Sequence, residues 1–271
     1  MNNNPIGVLD SGVGGLTVWQ AIAKELPQEA TIYIGDSANA PYGKKSAEEI
    51  YMLAKKLITF LLEKDAKLIV VACNTITVNC IEQLRKSFPN TPIIGTVPVV
   101  KTAGEKTKNK RIGILATAAT IRSPYNEKLI AQFAAGCTVT RIGTNNIVPL
   151  IEKGIKGTQL TEVLQKELEP FVAGKVDVVV LGSTHFPLIA KEIQKVLGKD
   201  LLILDSGGAI ARQVKRILTN NNALASGNKP SYDFYTTGEV KRFKPFLSSR
   251  AHSINSVRGD LPEKKIAVSP Q

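Results

Sequence analysis

The sequence predicts an α/β fold of two similar lobes, each a mainly parallel sheet flanked by helices, with the lobes related by pseudo-two-fold symmetry. Three observations predict it. Leu68-Ile69-Val70-Val71 and Val178-Val179-Val180-Leu181 are short, uninterrupted apolar runs, as strands buried on both faces require. Each run then breaks into small polar residues, Ala72-Cys73-Asn74-Thr75 and Gly182-Ser183-Thr184-His185. The spacing around them also repeats. Ile93 stands as far beyond Cys73 as Ile203 stands beyond Ser183, and Ile6-Gly7-Val8-Leu9 opens the first half as Ile112-Gly113-Ile114-Leu115 opens the second. Residues 1–96 with 208–271 are expected to form one lobe, and residues 97–207 the other.

In order, the first strand covers Gly7 to Asp10 and turns through Ser11-Gly12-Val13-Gly14-Gly15 into a helix carrying Val18, Ile22 and Leu26. A dinucleotide fingerprint starting at Gly12 needs glycine where Thr17 stands, and Asp10 would face the pyrophosphate, so that reading fails. Thr31 to Gly35 is the next strand. It leads into Asp36-Ser37-Ala38-Asn39-Ala40-Pro41-Tyr42-Gly43, whose proline and glycine mark a fixed turn. Ser46-Ala47-Glu48-Glu49 opens a helix with a capping box, and Ile50, Leu53, Leu57, Ile58, Leu61 and Leu62 keep helical spacing on one face. The Cys73 strand, a helix through Leu84 and the Ile93 strand close the first half.

The second half runs through a weak helix near Val100, a Lys-rich loop, the Ile112 strand and a strand from Thr138 to Ile142. A short helix through Val148, Leu150 and Glu152 follows, then a longer one through Leu160, Val163, Leu164 and Leu168. After the Ser183 strand, Pro187 suits the first turn of a helix. A strand at Leu201 to Leu204 and a helix through Val214 and Leu218 follow. One further strand is expected at Tyr232 to Tyr235, and fraying over the last dozen residues.

Length and composition bound the function. At 271 residues and 43% hydrophobic content, the chain can bury two ordinary cores. No apolar run approaches the roughly 18 residues of a membrane span, and the N-terminus lacks the pattern of a secretory signal, so a soluble cytoplasmic protein is expected. The three cysteines, at 73, 80 and 137, form neither a disulfide framework nor a metal-binding pair. The net charge of +12 raises the question of nucleic acid. Lysines and arginines are spread along the chain, however, with modest clusters at 101–111 and 241–265 and no nucleic-acid motif, which favours a solvated basic surface that steers small anions. The sequence carries no oligomerisation signal; a homodimer, the commonest soluble assembly, stays open.

The carboxyl ends of parallel strands are where such folds bind ligands. Those ends offer the Cys73 thiol and the Ser183 hydroxyl, with Asp10, Glu152 and His185 as proton-handling groups; Cys80 and Cys137 read as packing residues. The motifs Asp10-Ser11-Gly12-Val13-Gly14-Gly15-Leu16-Thr17, Pro41-Tyr42-Gly43, Ala72-Cys73-Asn74-Thr75, Ala116-Thr117 with Thr120, and Leu181-Gly182-Ser183-Thr184-His185-Phe186-Pro187-Leu188 resemble the glutamate racemases of the cofactor-independent aspartate/glutamate racemase superfamily. The likeness covers about residues 7–212.

That resemblance implies interconversion of L- and D-glutamate for peptidoglycan synthesis by two-base proton transfer, without cofactor or metal. It implies a base at Cys73 with Asp10 beside it, and Glu152 and His185 assisting the opposite base. Ser11, Pro41, Tyr42, Gly43, Asn74, Thr75, Thr117, Thr120 and Thr184 match substrate-holding positions. The chain departs from the family where a second cysteine is expected, for Ser183 stands there. A hydroxyl is a much weaker acid than a thiol, whose pKa of about 8.5 neighbours can tune. Inversion is therefore expected to be impaired, unless His185 activates Ser183. The serine fits a replacement that traps substrate, a divergence that leaves a slow or one-sided enzyme, or a working variant. A glutamate-binding or regulatory protein without inversion activity is the alternative of a different class.

Overall fold

The computed structural model describes residues 1–227, 230–247 and 253–256. The first elements are β1 (Ile6–Asp10), α1 (Leu16–Glu25), β2 (Thr31–Gly35), α2 (Ala47–Leu62), β3 (Leu68–Val71), α3 (Asn74–Ser87) and β4 (Ile93–Gly95). Then come α4 (Val100–Lys106), β5 (Arg111–Ala116), α5 (Ala118–Arg122), α6 (Pro124–Phe133), β6 (Thr138–Gly143), α7 (Ile147–Glu152), α8 (Thr158–Ala173), β7 (Val178–Gly182), α9 (Ala190–Leu197) and β8 (Leu202–Leu204). The chain returns through α10 (Gly207–Asn220), β9 (Tyr232–Thr236), α11 (Val240–Phe243) and β10 (Ser253–Ser256).

These strands make two sheets in which every pairing is parallel, ordered β10-β9-β2-β1-β3-β4 and β6-β5-β7-β8. The inner run β2-β1-β3-β4 of the first has the order of the whole second sheet, so the sequence repeat is a repeat of topology. Register repeats too. Gly7 pairs with Ile69 and Ile69 with Ile93, as Gly113 pairs with Val179 and Val179 with Ile203. At each of these glycines a helix side chain presses on the strand. A Cβ on Gly7 would come within 3.1 Å of Leu61 of α2, and one on Gly113 within 2.9 Å of Phe171 of α8.

Alternation along the strands places Ile6, Val8, Leu68 and Val70 against α1 and α10, and Leu9, Ile69 and Val71 against α2 and α3. Trp19 anchors the first of these layers. Its ring meets Phe234 edge-on at 4.7 Å, and its indole N–H donates to Thr31 Oγ1 at 2.8 Å. The second sheet is covered by α7, α8 and α9 on one face and by α4 and α6 on the other. α10 leaves β8 and packs back onto α1, with Ile210, Val214 and Leu218 in the core shared with Trp19 and Ile22. Among the described residues, no helix is long and apolar enough to cross a membrane.

Differences from the sequence expectation are local. The elements expected from sequence include no helix between Ala116 and Thr138, yet α5 and α6 lie there, started by Thr117 and Ser123, whose hydroxyls accept the N–H groups of Thr120 and Asn126, and α6 lays Leu129, Ile130 and Phe133 against the core of the second sheet. A second strand, β10, joins β9 where one strand alone was expected after Asn222. The last dozen residues lie outside the described ones.

Candidate active site

Cys73 is the N-cap of α3, directly after β3, so its side chain sits beside the unpaired N–H groups of that helix's first turn. Ser183 directly follows β7, two residues before His185, the N-cap of a 3-10 turn over Phe186–Ile189. The two lobes meet through these ends, and each offers its partner the same part. The end of β1 in one lobe meets the segment after β7 in the other: Thr184 Oγ1 donates to the Asp10 carboxylate at 3.4 Å, and Thr17 Oγ1 to the Thr184 carbonyl at 3.1 Å. Reciprocally, Thr117 after β5 meets Thr75 after β3, hydroxyl to hydroxyl, at 3.3 Å.

Between them lies a cavity of about 100 Å³. Cys73 and Ser183 both line it, so the thiol of one lobe and the hydroxyl of the other share one enclosed space. Ser11, Asn74, Thr75, Thr117 and Thr184 line it too, together with Pro41, Tyr42 and Gly43 from the loop after β2. Glu152 and His185 complete the wall. Two expected residues stand back from it. Asp10 is fully buried behind the wall, accepting the Gly15 N–H at 3.0 Å. Thr120, expected to hold substrate, is also fully buried; its hydroxyl bonds Thr117 Oγ1 at 3.0 Å, which makes it a support for Thr117.

Six lining residues were not singled out from sequence: Ala40, Lys44, Thr144, Asn145, Val148 and Pro149. Thr144 and Asn145 follow the carboxyl end of β6, so the strand-end rule that marked Cys73 and Ser183 marks them as well. Lys44 ends a one-turn 3-10 helix, Tyr42–Lys44, beside a motif already in view.

The chemistry is set by burial. Burial first, and the nearby Asp10 second, push the Cys73 thiol up to about 12, while hydrogen bonds from Ser11 Oγ, 3.4 Å away, and from the Ile76 N–H pull it down. Burial also raises the Asp10 carboxyl, opposed by His185 and the Gly15 N–H. Each of these groups therefore holds its proton more tightly than it would in water. Across the cavity, His185 Nε2 lies 2.9 Å from Glu152 Oε1, and Ser183 Oγ accepts the backbone N–H of His185 at 3.4 Å. That pair is packed by glycine: a Cβ on Gly14 would stand 2.5 Å from His185 Nδ1, so the turn before α1 must lie bare against the ring. The Pro41-Tyr42-Gly43 loop is held from beneath by Asp36, which accepts the Tyr42 hydroxyl at 2.5 Å and an Asn39 Nδ2 proton at 3.0 Å.

One lining group has no hydrogen-bond partner among the described residues. Asn74 is 3% exposed, and neither its amide oxygen nor its amide nitrogen makes a hydrogen bond. Buried polar groups are nearly always paired. An unpaired donor and acceptor in a cavity wall call for a small ligand carrying both kinds of partner, as an amino acid does.

A family model for Asp/Glu/hydantoin racemases matches residues 6–214. The glutamate racemase of Pseudomonas paraeruginosa is 36% identical over 257 residues, covering 93% of this chain and 97% of the relative. Among solved structures, a glutamate racemase isoform from Bacillus anthracis superposes with a TM-score of 0.84 at 32% identity, covering 95% of this chain and 98% of that one. The Francisella tularensis glutamate racemase, solved with D-glutamate, gives 0.83 at 31% identity, covering 95% and 98%.

Proposed function

The chain belongs to the Asp/Glu/hydantoin racemase family, and from that premise we propose that its cavity binds glutamate and interconverts the L and D forms, with Cys73 and Ser183 as the opposed proton carriers. The D-glutamate produced would serve peptidoglycan synthesis. The observation that carries this reading is the shared cavity: one proton-bearing side chain from each lobe lines a space whose Asn74 amide awaits a polar ligand. Inverting a carbon requires removing a proton from one face and returning one to the other, so carriers on both walls suit the task.

In the forward half, the Cys73 thiolate takes the α-proton and Ser183 O–H gives a proton to the opposite face. The free protein keeps Cys73 as a thiol, so its proton first passes to the neighbouring Asp10 carboxylate, which burial makes a stronger acceptor. A substrate ammonium beside Asp10 and Cys73 offsets part of the cost of ionising it, and the N-terminus of α3 adds to this. In the reverse half, Ser183 must be the base, and a hydroxyl supplies far less proton-accepting anion than a thiol. The 2.9 Å His185–Glu152 pair supports His185 as an acceptor, but its ring is not hydrogen-bonded to Ser183 Oγ. We infer that proton transfer on the Cys73 side outpaces that on the Ser183 side.

Replacing Ser183 by cysteine tests the assignment by chiral chromatography of glutamate. Each 1.36 kcal/mol of recovered transition-state stabilisation is tenfold in rate, so net inversion should rise by about a thousandfold or more. Inversion unchanged in Ser183→Cys would remove that position from the mechanism. Ser183 also favours a second reading, a glutamate-binding protein without inversion; it predicts tight binding with no α-proton chemistry in either variant. Aspartate, assayed in parallel, measures how far the cavity selects by chain length.

A further inference from the structure

The cavity is acidic, while the proposed substrate is an anion. Glu152 faces the cavity, Asp10 lies just behind it, and glutamate adds two carboxylates against one ammonium. His185 is engaged with Glu152. Among the described residues lining the cavity, Lys44 is the only lysine or arginine. It is exposed, and among the described residues no carboxylate lies within ion-pair distance of its ammonium.

Its place on the fold gives that charge a use. The loop that ends at Lys44 forms one lip of the cavity, and the segment after β6 forms the other: a Cβ on Gly43 would lie 3.6 Å from Asn145 Oδ1. Cys73 and Ser183 are each only 5% exposed, so the α-carbon between them sits deep. The other end of a bound amino acid then points toward the lips, where the ammonium stands.

We propose that Lys44 is a specificity-determining residue at the cavity mouth, drawing the dicarboxylate in and pairing with its side-chain carboxylate. This rests on the reading of glutamate as substrate. An exposed cation acts on capture and on the choice between charged and neutral side chains, because water and salt screen it.

The test is a charge series read by calorimetric binding: native protein with Lys44→Arg, Lys44→Met and Lys44→Glu, titrated with glutamate and with glutamine, at about 20 mM and about 300 mM salt. Exposed ion pairs are weak, so Lys44→Met should loosen glutamate roughly two- to fivefold at low salt, with Lys44→Glu looser still and Lys44→Arg close to native. The differences should shrink at high salt, and glutamine should be indifferent to the series. Equal glutamate affinity in native protein and Lys44→Met overturns the proposal. So does a loss that ignores both charge sign and salt, since a change of loop shape would give that. Native protein that binds no glutamate overturns the substrate reading as well, whereas native binding with a flat series overturns the role of Lys44 alone.

Discussion

Cys73 is poised for proton transfer only at a cost, and the cost has a sign. Burial and Asp10 push its thiol up to about 12 in the folded protein, against about 8.5 for a free thiol. From about pH 8.5 to 12 the folded state keeps a proton that the unfolded chain gives up, so stability falls as pH rises through that window. Cys80, also pushed up to about 12 by burial, contributes in the same direction. Urea midpoints between about pH 8 and pH 10.5 should therefore fall less steeply for Cys73→Ala than for the native protein; parallel slopes would show that the thiol is not held protonated by the fold. At this scale the sequence was legible where residue type and strand end coincide, as at Cys73, Asn74, Ser183 and His185. It does not distinguish the place of Thr120, because a hydroxyl four residues past a strand end reads the same whether it faces the cavity or braces Thr117. Whether Asp10 faces the cavity or stands behind Ser11 and Thr184 depends on packing between lobes, which no local pattern encodes.

Elements were readable in proportion to how much apolar surface they bury. The central strands β1, β3, β5 and β7 are short aliphatic runs, and α2 shows its buried face in Ile50, Leu57, Ile58 and Leu61. α6 fully buries only Asn126; its apolar stripe, Leu129, Ile130 and Phe133, is short and half-buried against the second core, so the Ser123-Pro124 start is the clearer mark of the helix. β10, Ser253–Ser256, is too polar to read as a strand without its neighbour β9. The α2 cap is a case where sequence and structure agree in detail. Ser46 Oγ accepts the Glu49 N–H at 3.2 Å, and Glu49 Oε2 accepts the Ser46 N–H at 2.8 Å. It also fixes the chain just after the Tyr42–Lys44 turn of the cavity lip. Ser46→Ala should cost about 1 kcal/mol, lowering the melting temperature by about 2–4 °C in a chain of this size; a calorimetric scan showing no change would mean the cap is idle.

The whole molecule is a sheet motif used twice and turned face to face. Duplication was visible in the Ile-Gly-x-Leu opening shared by Ile6 and Ile112 and in the equal spacing of Ile93 from Cys73 and Ile203 from Ser183, and the strand registers repeat to match. The contacts that join the lobes, Thr17 to Thr184 and Thr75 to Thr117, were not visible, since they are single hydroxyl bonds between distant segments. Their reciprocity brings Cys73 of one lobe and Ser183 of the other to one cavity, and it makes the unequal chemistry of a thiol and a hydroxyl a property of the whole assembly. Exchange of the α-hydrogen in D2O, followed by proton NMR with each glutamate enantiomer supplied separately, measures that inequality. One enantiomer, the one whose α-hydrogen faces Cys73, should take up deuterium much faster than it inverts, and Cys73→Ala should abolish this. Equal exchange of both enantiomers, or exchange of neither despite measurable binding, would contradict it.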